Sequence, residues 1–154
     1  MRYTLLIVVT LALFFAACKK DKFTTAPQIT FKSVKPNTAF SNIPPSQQLI
    51  PVLTISVTDA EGDLGFIAGK DTSKVYIKNL LTSKEDSLIL PNITSAAVKN
   101  FKGDIAIDLS SLLGASNRPR PKTDTLFFEI YIKDFAKNKS NVIISGKPVF
   151  YITP

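Results

Sequence analysis

The sequence contains no histidine, no tryptophan and only one cysteine. The absence of histidine excludes Ser-His-Asp and Cys-His catalysis, and it also excludes zinc sites that use histidine. No serine is followed three residues later by lysine, so the Ser-x-x-Lys signature of acyl transfer is missing too. A single cysteine allows no internal disulfide, which leaves the fold dependent on a hydrophobic core. We therefore expect a protein without enzymatic activity.

The single cysteine, Cys18, follows a segment typical of exported proteins. Arg2 gives a basic start, and the uncharged stretch over residues 5–17 is shorter than the roughly 20 residues that a transmembrane helix needs. Phe15, Ala16 and Ala17 before the cysteine resemble the bacterial lipobox, in which small residues precede an invariant cysteine. The resemblance implies that residues 1–17 are a cleaved signal peptide and that Cys18 carries the lipid. An ordinary signal peptide before a chance cysteine is the alternative.

The segment after Cys18 predicts an anchored domain at the cell envelope. Residues 18–28 are short and mostly polar, and we interpret them as the lipidated cysteine and its tether. Lys19 takes the place of the aspartate that retains lipoproteins in the inner membrane of enterobacteria, which favours the outer membrane, at its periplasmic face or at the cell surface. Loss of Arg2 lowers the formal net charge from +7 to +6, which suits solubility and attraction to anionic lipid or polysaccharide. Nothing in the sequence indicates a nucleic-acid partner.

Residues 29–154 alternate with the period of β-strands and show no long helical period. The strongest alternation covers residues 125–133, with Leu126, Phe128, Ile130 and Ile132 on one face. We predict further strands at 29–35, 49–58, 74–81, 87–90, 104–109 and 141–153, with a bulge at Gly146 in the last. A loop is expected at 36–48 and a helical turn at 110–116.

Seven strands separated by turns predict an all-β fold, an antiparallel β-sandwich. The arrangement resembles an immunoglobulin-like or fibronectin-like sandwich, although it lacks the cysteine pair and the tryptophan of antibody domains. Such a resemblance concerns the fold and implies no activity.

Acidic and amide side chains cluster in two loops. Asp59, Glu61 and Asp63 follow the second predicted strand, and Asp134 and Asn138 follow the strand that ends at residue 133. In an immunoglobulin-like sandwich these two loops lie at the same end. The five side chains would then supply the oxygen atoms that calcium prefers, as a structural site.

Ordinary turn chemistry is the alternative for these loops, because aspartate and glycine are common in tight turns. Lys133, Lys137 and Lys139 in the second loop would oppose a cation. Residues 56–65 and 133–141 resemble loops that recur in immunoglobulin-like surface lipoproteins of the Bacteroidota, and this resemblance implies lineage and fold.

Two pairs of surface residues complete the candidate sites. Phe127 and Tyr131 share the face of strand 125–133 opposite the apolar row, where aromatic rings would stack on a sugar or hold a partner, unless a loop covers them. Ser87 and Thr125 each follow an aspartate and precede a leucine, which resembles the O-glycosylation motif of the Bacteroidota. Plain strand-edge residues are the alternative for this second pair.

The sequence as a whole predicts a non-enzymatic, lipid-anchored protein of the outer membrane or cell surface. It would act as a binding, adhesion or envelope-scaffold module for another envelope protein. A glycan-binding accessory module of a polysaccharide uptake system is the alternative function.

Overall fold

The computed structural model describes residues 23–66, 72–91 and 99–154, so the predicted signal peptide and Cys18 lie outside the described residues. The described chain forms β-strands and two short 3-10 helices, Pro45–Gln47 and Ser110–Leu112. None of the helices in these ranges is long and apolar enough to span a bilayer. The strands are β1 (Gln28–Lys35), β2 (Thr38–Phe40), β3 (Val52–Asp59), β4 (Lys74–Asn79), β5 (Glu85–Ile89), β6 (Phe101–Asp108), β7 (Lys122–Leu126), β8 (Phe128–Lys133), β9 (Ile143–Ile144) and β10 (Val149–Thr153).

The strands form three sheets, in the orders β1-β3-β6, β5-β4-β8-β9 and β2-β10-β7. All neighbours are antiparallel except β2 and β10, which run parallel. The inward side chains of all three sheets join in one hydrophobic core. The prediction of an all-β sandwich is confirmed, with more strands than the seven predicted. The immunoglobulin-like relationship stays a prediction.

Alternation of β-branched and other apolar residues produces β3 and β8, two of the central strands. Leu53, Ile55 and Val57 of β3 are fully buried, and their neighbours in sequence point outward. The inward row of β8, which includes Phe128 and Ile132, is also fully buried. Each such side chain contributes roughly 1.5–3 kcal/mol when it leaves water, so these rows supply much of the stability of the domain.

The predicted strand at 125–133 is not continuous, which corrects the sequence analysis. The ladder breaks at Phe127, where the chain leaves the sheet of β10 and enters the sheet of β4. The carbonyl of Phe127 instead accepts a hydrogen bond from the backbone nitrogen of Leu80 at 2.9 Å. Leu126 and Phe128 both remain fully buried, because alternation specifies the buried face and not the partner strand.

Three other predictions from the sequence also need correction. The expected loop at 36–48 contains β2, and the helical turn is limited to Ser110–Leu112. The predicted strand at 141–153 is two strands in different sheets, and Gly146 lies in the bend between them and not in a bulge. A side chain at Gly146 would meet the ring of Phe31 at 2.9 Å, so this close approach explains the glycine.

Two side-chain amides close free strand edges. The amide of Asn141 accepts from the backbone nitrogen of Ile29 at 2.7 Å and donates to its carbonyl at 2.9 Å. The amide of Gln48 pairs with both backbone groups of Phe40, at 3.0 Å each. Each amide takes the place of one residue of a further strand, which satisfies backbone groups that would otherwise invite edge-to-edge association.

The corner at Phe127 gives a matched test of the core. Phe128→Ala empties a fully buried site, and we expect it to lower the free energy of unfolding by about 3–5 kcal/mol. Phe127→Ala, at a neighbouring ring that is 37% exposed, should cost far less. Denaturant unfolding of both variants measures the difference, and equal losses would contradict the assigned faces.

Candidate metal centre

The two predicted acidic loops meet at one end of the sandwich. β3 ends at Asp59, and β8, in another sheet, ends one residue before Asp134. The backbone nitrogen of Phe135 donates to the carbonyl of Asp63 at 3.0 Å, so the two loops are in direct contact. We refer to residues 59–66 and 133–141 together as the metal end.

The first loop folds back on the side chain of Asp59. Its Oδ2 accepts hydrogen bonds from the backbone nitrogens of Gly62 at 2.6 Å and Asp63 at 3.2 Å. Gly62 has a φ of 66°, a left-handed conformation that glycine adopts without a steric penalty. This turn brings the carboxylate of Asp63 back beside that of Asp59.

The second loop fixes the carboxylate of Asp134 in the same way. Its Oδ1 accepts from the backbone nitrogen of Asn138 at 2.7 Å, and its Oδ2 accepts from the side-chain nitrogen of Asn138 at 2.9 Å. Asn138 therefore orients Asp134, and its role as a cation ligand stays a prediction. Asp134 is fully buried.

The carboxylates of Asp59, Asp63 and Asp134 form one cluster, in which an oxygen of each lies within 4.8 Å of the others. Asp59 is fully buried, and its Oδ1 has no hydrogen-bond partner among the residues that the structure describes. The Oδ1 of Asp63 is likewise buried and unpartnered. Buried anionic oxygens without donors are costly, and a cation that prefers oxygen ligands removes this cost. Calcium fits this donor set because it takes carboxylate and carbonyl oxygens in flexible geometry.

The pKa values of the buried carboxyl groups in the cluster are raised, as expected for acids that lack a nearby positive charge. Burial raises the pKa of Asp59 to about 6, against backbone hydrogen bonds from Gly62 and Asp63 that lower it. Asp63 also raises this pKa, through its charge and through a hydrogen bond between the two carboxyl groups. Burial also raises the pKa of Asp134. In the absence of a cation these carboxylates hold protons more tightly than exposed ones do.

The other residues predicted for the metal site lie around the cluster. Glu61 is exposed and stands outside it. The three lysines of the second loop are directed elsewhere: Lys137 donates to the carbonyl of Thr72 at 3.4 Å, and Lys139 and Lys133 lie over tyrosine rings. The opposition to a cation expected from these lysines is thereby reduced.

Phe127 and Tyr131 do not form a common surface. Tyr131 stacks on Tyr76 with 4.7 Å between ring centroids, and the ammonium of Lys139 lies 4.0 Å from the Tyr131 centroid. Both faces of the Tyr131 ring are therefore covered. Phe127 lines a shallow apolar groove of about 490 Å³ instead, together with Leu80, Leu81, Thr125 and Ile144.

The structure also contains a surface that the sequence analysis missed. The outward positions of β2, β10 and β7 carry no charge, although the whole chain has a net charge of +7. Phe40 and Phe150 are 36% and 37% exposed there, and Phe127 adjoins them through Thr125. We define the uncharged face by its outward residues, Thr38, Phe40, Thr123, Thr125, Phe150 and Ile152.

Both residues of the suggested O-glycosylation motifs are exposed. Their preceding aspartates differ. Asp86 accepts from the hydroxyl of Ser111 at 2.6 Å, whereas Asp124 is fully buried. Burial opposes ionisation of Asp124, but hydrogen bonds from Arg118 and Ser116 hold its pKa at about 2. Asp124 thus has a structural role, and glycosylation of Ser87 and Thr125 stays a prediction.

No protein-family model, curated protein or solved structure matches this chain.

Calcium should stabilise the folded chain through the cluster. We expect the midpoint of thermal unfolding to rise with calcium and to fall again with chelator, since a ligand at 100 times its dissociation constant adds about 2.7 kcal/mol. Asp63→Asn should abolish the shift, whereas Glu85→Gln, at an exposed carboxylate on β5, should keep it. An equal response of both variants would show that calcium acts elsewhere.

Without calcium, the stability of the domain should fall as pH rises through the pKa of Asp59, about 6. The folded-state pKa exceeds the unfolded value, so the folded chain binds more protons between about pH 4 and pH 6. Above pH 5 the loss amounts to roughly 1.4 kcal/mol, the equivalent of one pKa unit, and Asp59→Asn should remove most of it. Denaturant unfolding from about pH 5 to pH 7.5 measures this change in the free energy of unfolding. A free energy of unfolding that rises over this range would contradict the raised pKa of Asp59.

Proposed function

We propose that the chain is a non-enzymatic, lipid-anchored binding module of the outer membrane. Cys18 bears the lipid, residues 19–28 connect it to the domain, and the sandwich presents a binding surface to another envelope protein. The lipobox resemblance and Lys19 after the cysteine support the anchor and its location. The absence of histidine throughout the sequence supports a role in binding and not in catalysis.

The observation that carries the binding role is the uncharged face. On a basic chain, three adjacent strands without a single outward charge form an unusual surface, and exposed aromatic rings lie on it. The apolar groove beside Phe127 extends the same surface with Leu80, Leu81 and Ile144, which are 41%, 44% and 57% exposed. Contiguous apolar patches on soluble domains are typical of interfaces, and the cores of protein interfaces are poor in charge and rich in aromatic residues.

Calcium has a structural role in this proposal. By neutralising Asp59, Asp63 and Asp134, the ion would hold the two loops together at the metal end. The uncharged face and the Phe127 groove lie toward the other end of β8, so the ion would order the domain without touching the partner.

A glycan is the second candidate partner, favoured by one observation. Phe127 is exposed and lines a groove, so its ring is free to stack on a sugar. Because the ring of Tyr131 is covered, glycan binding would depend on Phe127 and Phe150.

Site-specific photocross-linking in the producing bacterium tests the proposal. A photoreactive phenylalanine analogue in place of Phe150 should give a discrete adduct that protease destroys. The same analogue in place of Ile89, which is exposed on β5, should give none. Cys18→Ala should move the protein out of the membrane fraction. Identical adducts from both positions, or a Cys18→Ala protein that stays membrane-bound, would contradict the proposal, and a protease-resistant adduct would favour the glycan.

A further inference from the structure

The metal end is the part of the domain closest to the predicted lipid. The carbonyl of Thr24 accepts a hydrogen bond from the backbone nitrogen of Ala60 at 3.1 Å, next to Asp59. Cys18 precedes Thr24 by six positions, and a fully extended chain covers about 3.5 Å per residue, or about 20 Å in all. Given the anchor of the proposed function, the metal end lies within this distance of the bilayer surface.

The surface of the metal end combines an exposed aromatic ring with basic side chains. Phe66 is 38% exposed and pairs with Thr72, whose carbonyl accepts a hydrogen bond from Lys137. Ala136 and Lys139 are also exposed, in the second loop of the metal end. Aromatic rings with flanking lysines suit the headgroup region of a membrane, where the ring enters the interface and the ammonium groups meet phosphates.

Calcium makes the formal charge of the two loops more positive by two units. Four carboxylates and three lysines give the two loops a formal charge of −1, which one calcium ion converts to +1. Lys74 and Lys102 add positive charge beside these loops, so the ion strengthens the attraction of this end to an anionic surface. The residues counted are Asp59, Glu61, Asp63, Asp134, Lys133, Lys137 and Lys139.

We propose that calcium docks the metal end onto the anionic headgroups of the membrane that carries the lipid anchor. This inference rests on the proposed anchor and metal centre, and it adds an orientation to both. β4 begins beside the metal end, where Lys74 pairs with Lys133, and runs away from it to Asn79. The turn at 80–84 and the Phe127 groove therefore point away from the membrane, toward a partner.

Accessibility of single labels tests the orientation in the full, lipidated protein. Cys18 is the only native cysteine and its thiol is occupied by lipid, so Ala136→Cys and Ser83→Cys each add one free thiol for a fluorophore. Ser83 lies in the turn between β4 and β5, at the opposite end, and is the matched control. The proteins are reconstituted in vesicles of phosphatidylcholine with or without phosphatidylglycerol, and the neutral quencher acrylamide reports exposure of each label.

We expect quenching at position 136 to fall several-fold only when calcium and phosphatidylglycerol are both present, and to recover with chelator. Quenching at position 83 should stay constant. Lysines at an anionic surface contribute roughly a fivefold gain in affinity each, so Lys137→Ser with Lys139→Ser should abolish the protection. The control pair Lys84→Ser with Lys147→Ser, exposed and away from the metal end, should retain it.

The outcomes separate the inference from the proposed function. A protein that fails to float with vesicles and carries no acyl chains by mass spectrometry would overturn the anchor itself. A protein that floats but shows equal quenching at 136 and 83 in calcium would overturn only the docking. Protection that persists in chelator would overturn the calcium dependence.

Discussion

The burial of the inward rows of β3 and β8 in one common core is the constraint on which the rest of the structure depends. Without disulfides, the chain relies on these two fully buried rows, and their alternation leaves little freedom of register, since a shift by one residue would expose every inward side chain. The same rigid strands end at the two acidic loops. Core packing thereby determines where Asp59 and Asp134 lie.

This placement has an electrostatic cost, which the cluster relieves in the absence of a cation by holding a proton more tightly. The loops satisfy one oxygen of Asp59 with backbone donors and leave the other unpartnered. Its pKa, about 6, shows that burial disfavours the charged form. In our proposal a divalent cation would offset this cost and add positive charge to the metal end, which would connect the stability of the domain to its orientation at a membrane.

Sequence reasoning identified the buried rows of β3, β6 and β8, because alternation is a local signal. It also anticipated that Asp59 and Asp134 would converge, since both follow strands of a sandwich. It missed β2 and the sheet change at Phe127, because these depend on pairing between distant segments. The uncharged face was missed for the same reason: Phe40, Thr125 and Phe150 become neighbours only through β10. The covering of Tyr131 by Tyr76 and Lys139 likewise depends on tertiary contacts.

The cation site is the central claim, and direct titration of the chelator-treated protein with calcium tests it most simply. Isothermal calorimetry should detect a single bound ion per chain, and Asp134→Asn should weaken its binding strongly, because Asp134 contributes a fully buried carboxylate to the cluster. Absence of calcium binding, or binding that Asp134→Asn leaves unchanged, would contradict the cation site. The acidic residues of both loops would then have only a structural role in tight turns.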